Sequence, residues 1–317
     1  MVPFPRPRRK QKRRMASNIT ELFGYSPTDQ SSAAKNARKN LECPFLGQTC
    51  TKTLSDGTIS GMCTLKPMTS GPVICCPVRL YADDYKVLKD VAVQAFGSGI
   101  NLIAGSDVAG YRARNPGKPA IAVFGKRWGK ELRLPSRAKK AGGKVGAYFV
   151  DWILAHTDAA GKLLGFVAIE VQSIDTTGNY RGERLAYLEG RAFKGNSTAG
   201  PNWENVNKRI LPQIIYKGHV LRREPLCQKG LFFICPTPVY NKIAERLGGK
   251  LEEIHQQAGS VTLMRYDVGP PVPDGQIRAL ELGGQSTTTI DQVALAFTAP
   301  SNLPPAKVYE QAIIAEL

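Results

Sequence analysis

Two polar side chains interrupt an apolar run where chemistry is plausible. In "GFVAIEVQSIDTTGNYR", residues 165–181, the stretch Phe166, Val167, Ala168, Ile169 leads into Glu170, Val171 and Gln172. Strand side chains alternate faces, so a carboxylate and an amide share one face of an otherwise buried-looking strand. Upstream, "GAYFVDWILAHTDAAGKLLGFVAIEVQ" sets the turn "DAAG" between two β-like runs, the pattern of a hairpin. A hairpin symmetric about Ala160 and Gly161 places Asp151 opposite Glu170 on the same face. Directly opposed like charges repel. Two close carboxylates with no cation force one to stay protonated. A divalent ion resolves the conflict, because Mg2+ takes oxygen ligands from one or two carboxylates and keeps waters for chemistry. Gln172 could orient one of those waters. A half-exposed strand pair with polar residues on its wet face gives the same pattern, and one residue of slip destroys the pairing.

A second set of reactive side chains lies upstream. Cys43, Cys50, Cys63 and Cys76 are separated by six, twelve and twelve residues, each beside turn-forming residues, and Cys75 adjoins Cys76. Four thiolates in a loop-rich segment suit a tetrahedral metal centre, and the metal could supply folding energy that such a segment lacks. Small buried thiols are the other reading. By base rate such a centre holds zinc; iron fits the same ligands. Cys227 and Cys235 fall in a hydrophobic strand region and read as core.

The positioning elements follow from pattern. "NITELFGYSP" reads as a short helix capped by Asn18 or Thr20 and stopped near Gly24. "DDYKVLKDVAVQAFG" is an amphipathic helix ending at Gly97. Short β-like runs follow: "AIAVFG", "KELRLP", "GAYFVDWILAH" and "LLGFVAIEVQSI". "NWENVNKRILPQIIYKGHVLRR" is a long helical pattern kinked by Pro212. "LFFICPTPVYNKIAERLGG" reads as strand, turn, helix; "QVALAFT" and "KVYEQAIIAEL" close the chain as strand and helix. Helices and strands mix without strict βαβ order, so the class is α/β or α+β. Residues 1–18 read as a basic disordered arm, 19–80 as the cysteine module and 81–317 as the main domain.

The 317-residue chain carries a net charge of +17, and seven of its first 14 residues are Arg or Lys without an acid. Removing that tail leaves +10 on the remainder, which points to a polyanion partner, nucleic acid first. Met15 is an alternative start. No run of about 18 apolar residues suggests a membrane span, and no apolar stretch follows the basic start as in a secretory signal. A reducing, cytoplasmic setting disfavours disulfides.

Together these residues resemble a known family. An Asp followed by Glu-x-Gln on the next strand is similar to the PD-(D/E)XK nuclease core with Gln in place of the usual Lys. The pieces "CPFL", "QTCTK", "GMC", "CCPVRLY", "KELRL", "DWILA", "AIEVQSIDTTGNY" and "GPNWENVNKR" run in the order of the NotI-type restriction endonucleases, nearest the shorter EagI-like members, over most of residues 20–245. The resemblance implies an α/β fold, a mixed sheet flanked by helices with a small N-terminal four-cysteine module. It implies one iron or zinc held by Cys43, Cys50, Cys63 and Cys76, with Cys75 competing for the fourth place. It assigns catalytic Mg2+ to Asp151 and Glu170, completion of the active strand to Gln172, and a further acidic position to Glu131. It implies cleavage of double-stranded DNA at a GC-rich, CGGCCG-like palindrome by a homodimer, with a companion DNA methyltransferase in the host. Arg181, Arg184, Lys208 and Arg209 are candidate DNA contacts. The alternative is a non-catalytic four-cysteine metal protein that binds nucleic acid. A third reading is another PD-(D/E)XK enzyme, such as a repair or junction nuclease.

Overall fold

The computed structural model describes residues 18–67, 71–134, 148–249, 251–299 and 303–317; the basic arm lies outside these apart from Asn18. Its N-terminal part comprises β1 (Ile19–Leu22), α1 (Ser32–Asn40), the hairpin β2 (Glu42–Cys43) and β3 (Gln48–Thr49), β4 (Met62–Leu65) and β5 (Val73–Ile74). Strands β1, β4 and β5 form a small antiparallel sheet. A short 3-10 turn (Pro77–Tyr81) leads into α2 (Ala82–Phe96), which ends at Gly97, with φ 88°, as the sequence predicts. Next come β6 (Asn101–Ala104), α3 (Val108–Arg114), β7 (Ala120–Gly125), β8 (Arg133–Leu134), β9 (Tyr148–Phe149), β10 (Trp152–Thr157), β11 (Leu163–Val171), β12 (Thr176–Thr177) and α4 (Arg181–Leu188). The chain ends with β13 (Gly200–Pro201), α5 (Leu211–Leu221), β14 (Leu231–Pro236), α6 (Thr237–Arg246), β15 (Ser260–Val268), β16 (Leu280–Thr289), α7 (Ile290–Thr298) and α8 (Val308–Glu316).

Seven strands build the central sheet in the order β16-β15-β14-β11-β10-β7-β6. It is mixed: β11, β14 and β15 run parallel, as do β6 and β7, while β10 is antiparallel to both its neighbours. Helices cover both faces. On one face Val167, Ile169 and Val171 of β11 join Trp152, Leu154, Phe232 and Ile234 under α2, through Val87, Leu88 and Val91. On the other, Ala168, Leu231, Phe233 and Leu263 meet α5, α6 and α7, and the N-terminal side chains Ile19, Leu22, Met62 and Leu65 share that core. Each fully buried aliphatic side chain there contributes about 1.5–3 kcal/mol of transfer energy. Helix α5 lies close to α7 because residue 218 is glycine: a Cβ there would meet Ile290 Cδ1 at 2.2 Å.

The structure departs from the sequence reading at two elements. Within "NITELF", Ile19–Leu22 form strand β1, not a helix; pairing with β4 and the burial of Ile19, Glu21 and Leu22 override local helical preference. "QVALAFT" lies in helix α7, not a strand. Its cap, Thr289, precedes the segment and accepts from Gln292 N, and the buried Ile290 and Val293 sit at helical spacing. At Pro212 the change of geometry is a π-helical stretch, Val206–Ile210, that passes without a break into α5 just before the proline, where the ring removes a backbone donor from the helix.

Candidate active site

The hairpin across the "DAAG" turn has the register its symmetry predicts. Trp152 pairs with Ile169, Ile153 with Ala168, and so on to His156 with Gly165; only the last pair slips, at Thr157 and Leu163. Gly161 takes a positive φ of 84°, which the turn requires and glycine permits. Asp151 therefore stands one residue before the ladder, beside Glu170, and its Oδ2 accepts from Val171 N at 2.8 Å.

Glu170 is 6 % exposed and points to the α5 side of the sheet, the side that Ala168 also faces. Its Oε1 accepts from Lys217 Nζ at 2.5 Å, whereas its Oε2 is buried without a hydrogen-bond partner. Burial and the neighbouring Asp151 push the Glu170 carboxyl up to about 7, against the opposing pull of Lys217. Asp151 is raised as well, first by burial; the Val171 N–H and Lys217 act against the rise, and Glu131 adds to it. Two close carboxylates with one orphaned oxygen form a donor set suited to a small, hard cation. Glu131 is exposed and near enough for its charge to be felt at Asp151. Gln172 is half-buried; its amide donates to Ser173 O at 3.0 Å, and its backbone N–H donates to Ile234 O at 2.8 Å.

Lys217 is the member of this group that sequence reasoning missed. The signal was there: Leu211, Ile214, Lys217, Gly218 and Leu221 form the buried stripe of α5, and a lysine in such a stripe needs an anionic partner.

The charge of Cys76 is felt at Cys43, Cys63 and Cys75 alike, and that of Cys50 at Cys43 and Cys76. Burial pushes the Cys43 thiol up to about 11 and raises Cys63 and Cys76 also. Cys76 and Cys43 lie in the core on the α2 face, while Cys75 turns into the opposite core and its thiol donates to Val73 O at 3.3 Å. Among the described residues, no three His, Cys, Asp or Glu side chains are drawn together as a ready metal-ligand group.

The four candidate DNA contacts separate. Arg184 is 4 % exposed, and its guanidinium donates to the carbonyls of Ile59 and Ser60, so it ties the cysteine segment to α4 rather than facing outward. Arg181 is exposed and pairs with Asp56 at 2.7 Å and Ser55 at 3.0 Å. Lys208 pairs with Glu204 at 2.5 Å and Arg209 with Asp175 at 2.9 Å, all four exposed. Lys52, Ser55, Asp175, Asn179 and Arg181 line an open polar cleft of about 520 Å³ between the cysteine segment and the residues after β11. No helix among the described residues is long and apolar enough to cross a membrane.

No curated protein matches the chain. The family model described as restriction endonuclease NotI matches residues 116–242, less than half of the chain. That segment carries Asp151, Glu170, Gln172 and Lys217, and the match supports a NotI-type restriction enzyme, a site-specific deoxyribonuclease acting on DNA.

Proposed function

We propose that the chain is a type II restriction endonuclease of the PD-(D/E)XK kind, nearest the EagI-like enzymes, that makes Mg2+-dependent double-strand breaks at a GC-rich, CGGCCG-like palindrome. The observation that carries this reading is the Asp151–Glu170 pair, with the buried Glu170 Oε2 unpartnered, inside the residues that match the NotI family. Asp151 and Glu170 would hold the ion. When bound, Mg2+ would polarise the scissile phosphate, supply an activated water and stabilise the leaving oxygen. Gln172 does not ionise near neutral pH, so it positions water rather than taking its proton. Glu131 adds negative charge at the rim. Arg181, Lys208 and Arg209, exposed and held only by surface pairs, can exchange those partners for phosphates or guanine edges.

A palindrome cut on both strands calls for a two-fold homodimer, and a cell that makes such an enzyme in its cytoplasm needs a companion methyltransferase to protect its own sites. Cys43, Cys50, Cys63 and Cys76 would hold one iron or zinc. The turning away of Cys75 into the opposite core favours this set. Digestion of a known genome with the purified protein and Mg2+, followed by sequencing of the ends, tests the reading. Discrete ends within one GC-rich palindrome are expected. DNA binding without cutting would instead favour a non-catalytic metal protein, and structure-dependent cutting a repair-type nuclease.

A further inference from the structure

Lys217 is a buried ammonium, 8 % exposed, carried on a helix distant in sequence from the acidic strand. Its Nζ meets Glu170 Oε1 at 2.5 Å, and its charge acts on Asp151 as well. Residue 172, the other polar side chain on that face of the strand, is an uncharged amide turned to Ser173 O. Among the described residues, Lys217 is therefore the cation that neutralises the acidic pair. It occupies one oxygen of Glu170 and leaves Oε2 free. Lys217 shares the buried stripe of α5 with Ile214 and Leu221, so its stem runs among apolar side chains while its ammonium reaches the acid.

We propose that Lys217 is a positioning residue of the cutting centre: its ammonium holds Glu170 through Oε1, so that Oε2 is presented to the catalytic cation and the acidic pair keeps a counter-charge before the ion arrives. This rests on the nuclease reading above. In its absence Glu170 loses its orientation and the cation becomes the pair's main counter-charge.

Lys217→Met keeps the length of the stem and removes the charge; Lys217→Arg keeps the charge. The first readout is the rise in melting temperature of the full chain on adding Ca2+, measured without turnover. That rise should be larger in Lys217→Met than in wild type, because the ion then replaces a missing cation and gains more from binding the native state. In Lys217→Arg it should stay near the wild-type value. The second readout is plasmid cleavage in saturating Mg2+. The expected fall in kcat for Lys217→Met is about 100-fold, the cost of a mis-set ligand, with no rise in the Mg2+ concentration for half-maximal rate and partial recovery in Lys217→Arg. Should Lys217→Met fail to fold, Lys217→Leu, which likewise lacks both the charge and the donor, takes its place with the same expectations. An unchanged Ca2+ shift, a kcat within about threefold of wild type, or Lys217→Arg as slow as Lys217→Met overturns the assignment. If the wild-type protein cuts no DNA in Mg2+, the nuclease reading fails. If it cuts and Lys217→Met cuts equally well, only the role of Lys217 fails.

Discussion

Among the described residues two carboxylate–cation pairs are buried, and they are built to opposite ends. Glu21 and Arg79, with side chains 1 % and 0 % exposed, join the N-terminal sheet to the turn that precedes α2. Both Glu21 oxygens are satisfied: Arg79 donates to Oε2 at 3.0 Å and to Oε1 at 3.1 Å, and Thr64 donates to Oε2 as well. Arg79 also donates to Arg278 O at 2.6 Å and lies 4.9 Å from the centroid of the Phe45 ring, although its Nη1 is buried without a partner; the satisfaction is complete on the carboxylate side only. Glu170 and Lys217 are nearly as buried, yet one carboxylate oxygen has no partner and a second acid, Asp151, stands beside it. A closed pair holds elements together. An open pair retains unspent affinity for a cation, and it lies within the residues that match a DNA-cutting family.

The comparison can be broken most sharply by neutralising each acid. Glu21→Gln strands Arg79 and should cost about 3–5 kcal/mol of folding stability. Glu170→Gln relieves the repulsion with Asp151 and should raise the metal-free melting temperature at pH 8. Paired thermal or urea unfolding checks both; equal destabilisation by the two would erase the distinction. The cysteines beside the closed pair offer a second test. If the proposed four-cysteine site holds iron or zinc, Cys76→Ser should lose that metal and Cys75→Ser should keep it, as read by elemental analysis of the purified chains; the reverse result would exchange their places.

A smaller effect sharpens the open pair by pH. The Glu170 carboxyl is raised from its ordinary 4.5 to about 7, so the native state holds the proton more tightly than the unfolded chain does. Metal-free stability from this site is therefore lost as pH rises from about 4.5 to about 7, and no further above that. A cation must displace that proton. The Ca2+-induced rise in melting temperature should consequently be larger at pH 8 than at pH 5; a rise independent of pH would argue against Glu170 as a ligand.

Much of the acidic hairpin was legible because a strand has a period of two and a short turn fixes the register. Those two facts brought Asp151 to Glu170 without any knowledge of the rest of the sheet. Lys217 was not legible in the same way, since α5 meets β11 only through the tertiary fold, 47 residues away in sequence. Arg184 shows the converse. Its charge suggested an outward DNA contact, but the carbonyls of Ile59 and Ser60 satisfy it inside the protein. The segment 19–22 lacked a readable strand partner until β4 was placed beside it. The helix at 290–298 was hidden because its cap, Thr289, and first buried residue, Ile290, precede the window that looked strand-like.

The most direct test of the open carboxylate pair is cleavage of plasmid DNA by wild type, Asp151→Ala and Glu170→Ala in Mg2+, with DNA binding measured in parallel in Ca2+. Wild type should give discrete fragments. Both variants should fold and bind DNA in Ca2+ with affinity near wild type, yet cut at least about 1,000-fold more slowly, as expected when a ligand to the catalytic ion is removed. Wild-type rates from either folded variant would contradict the account.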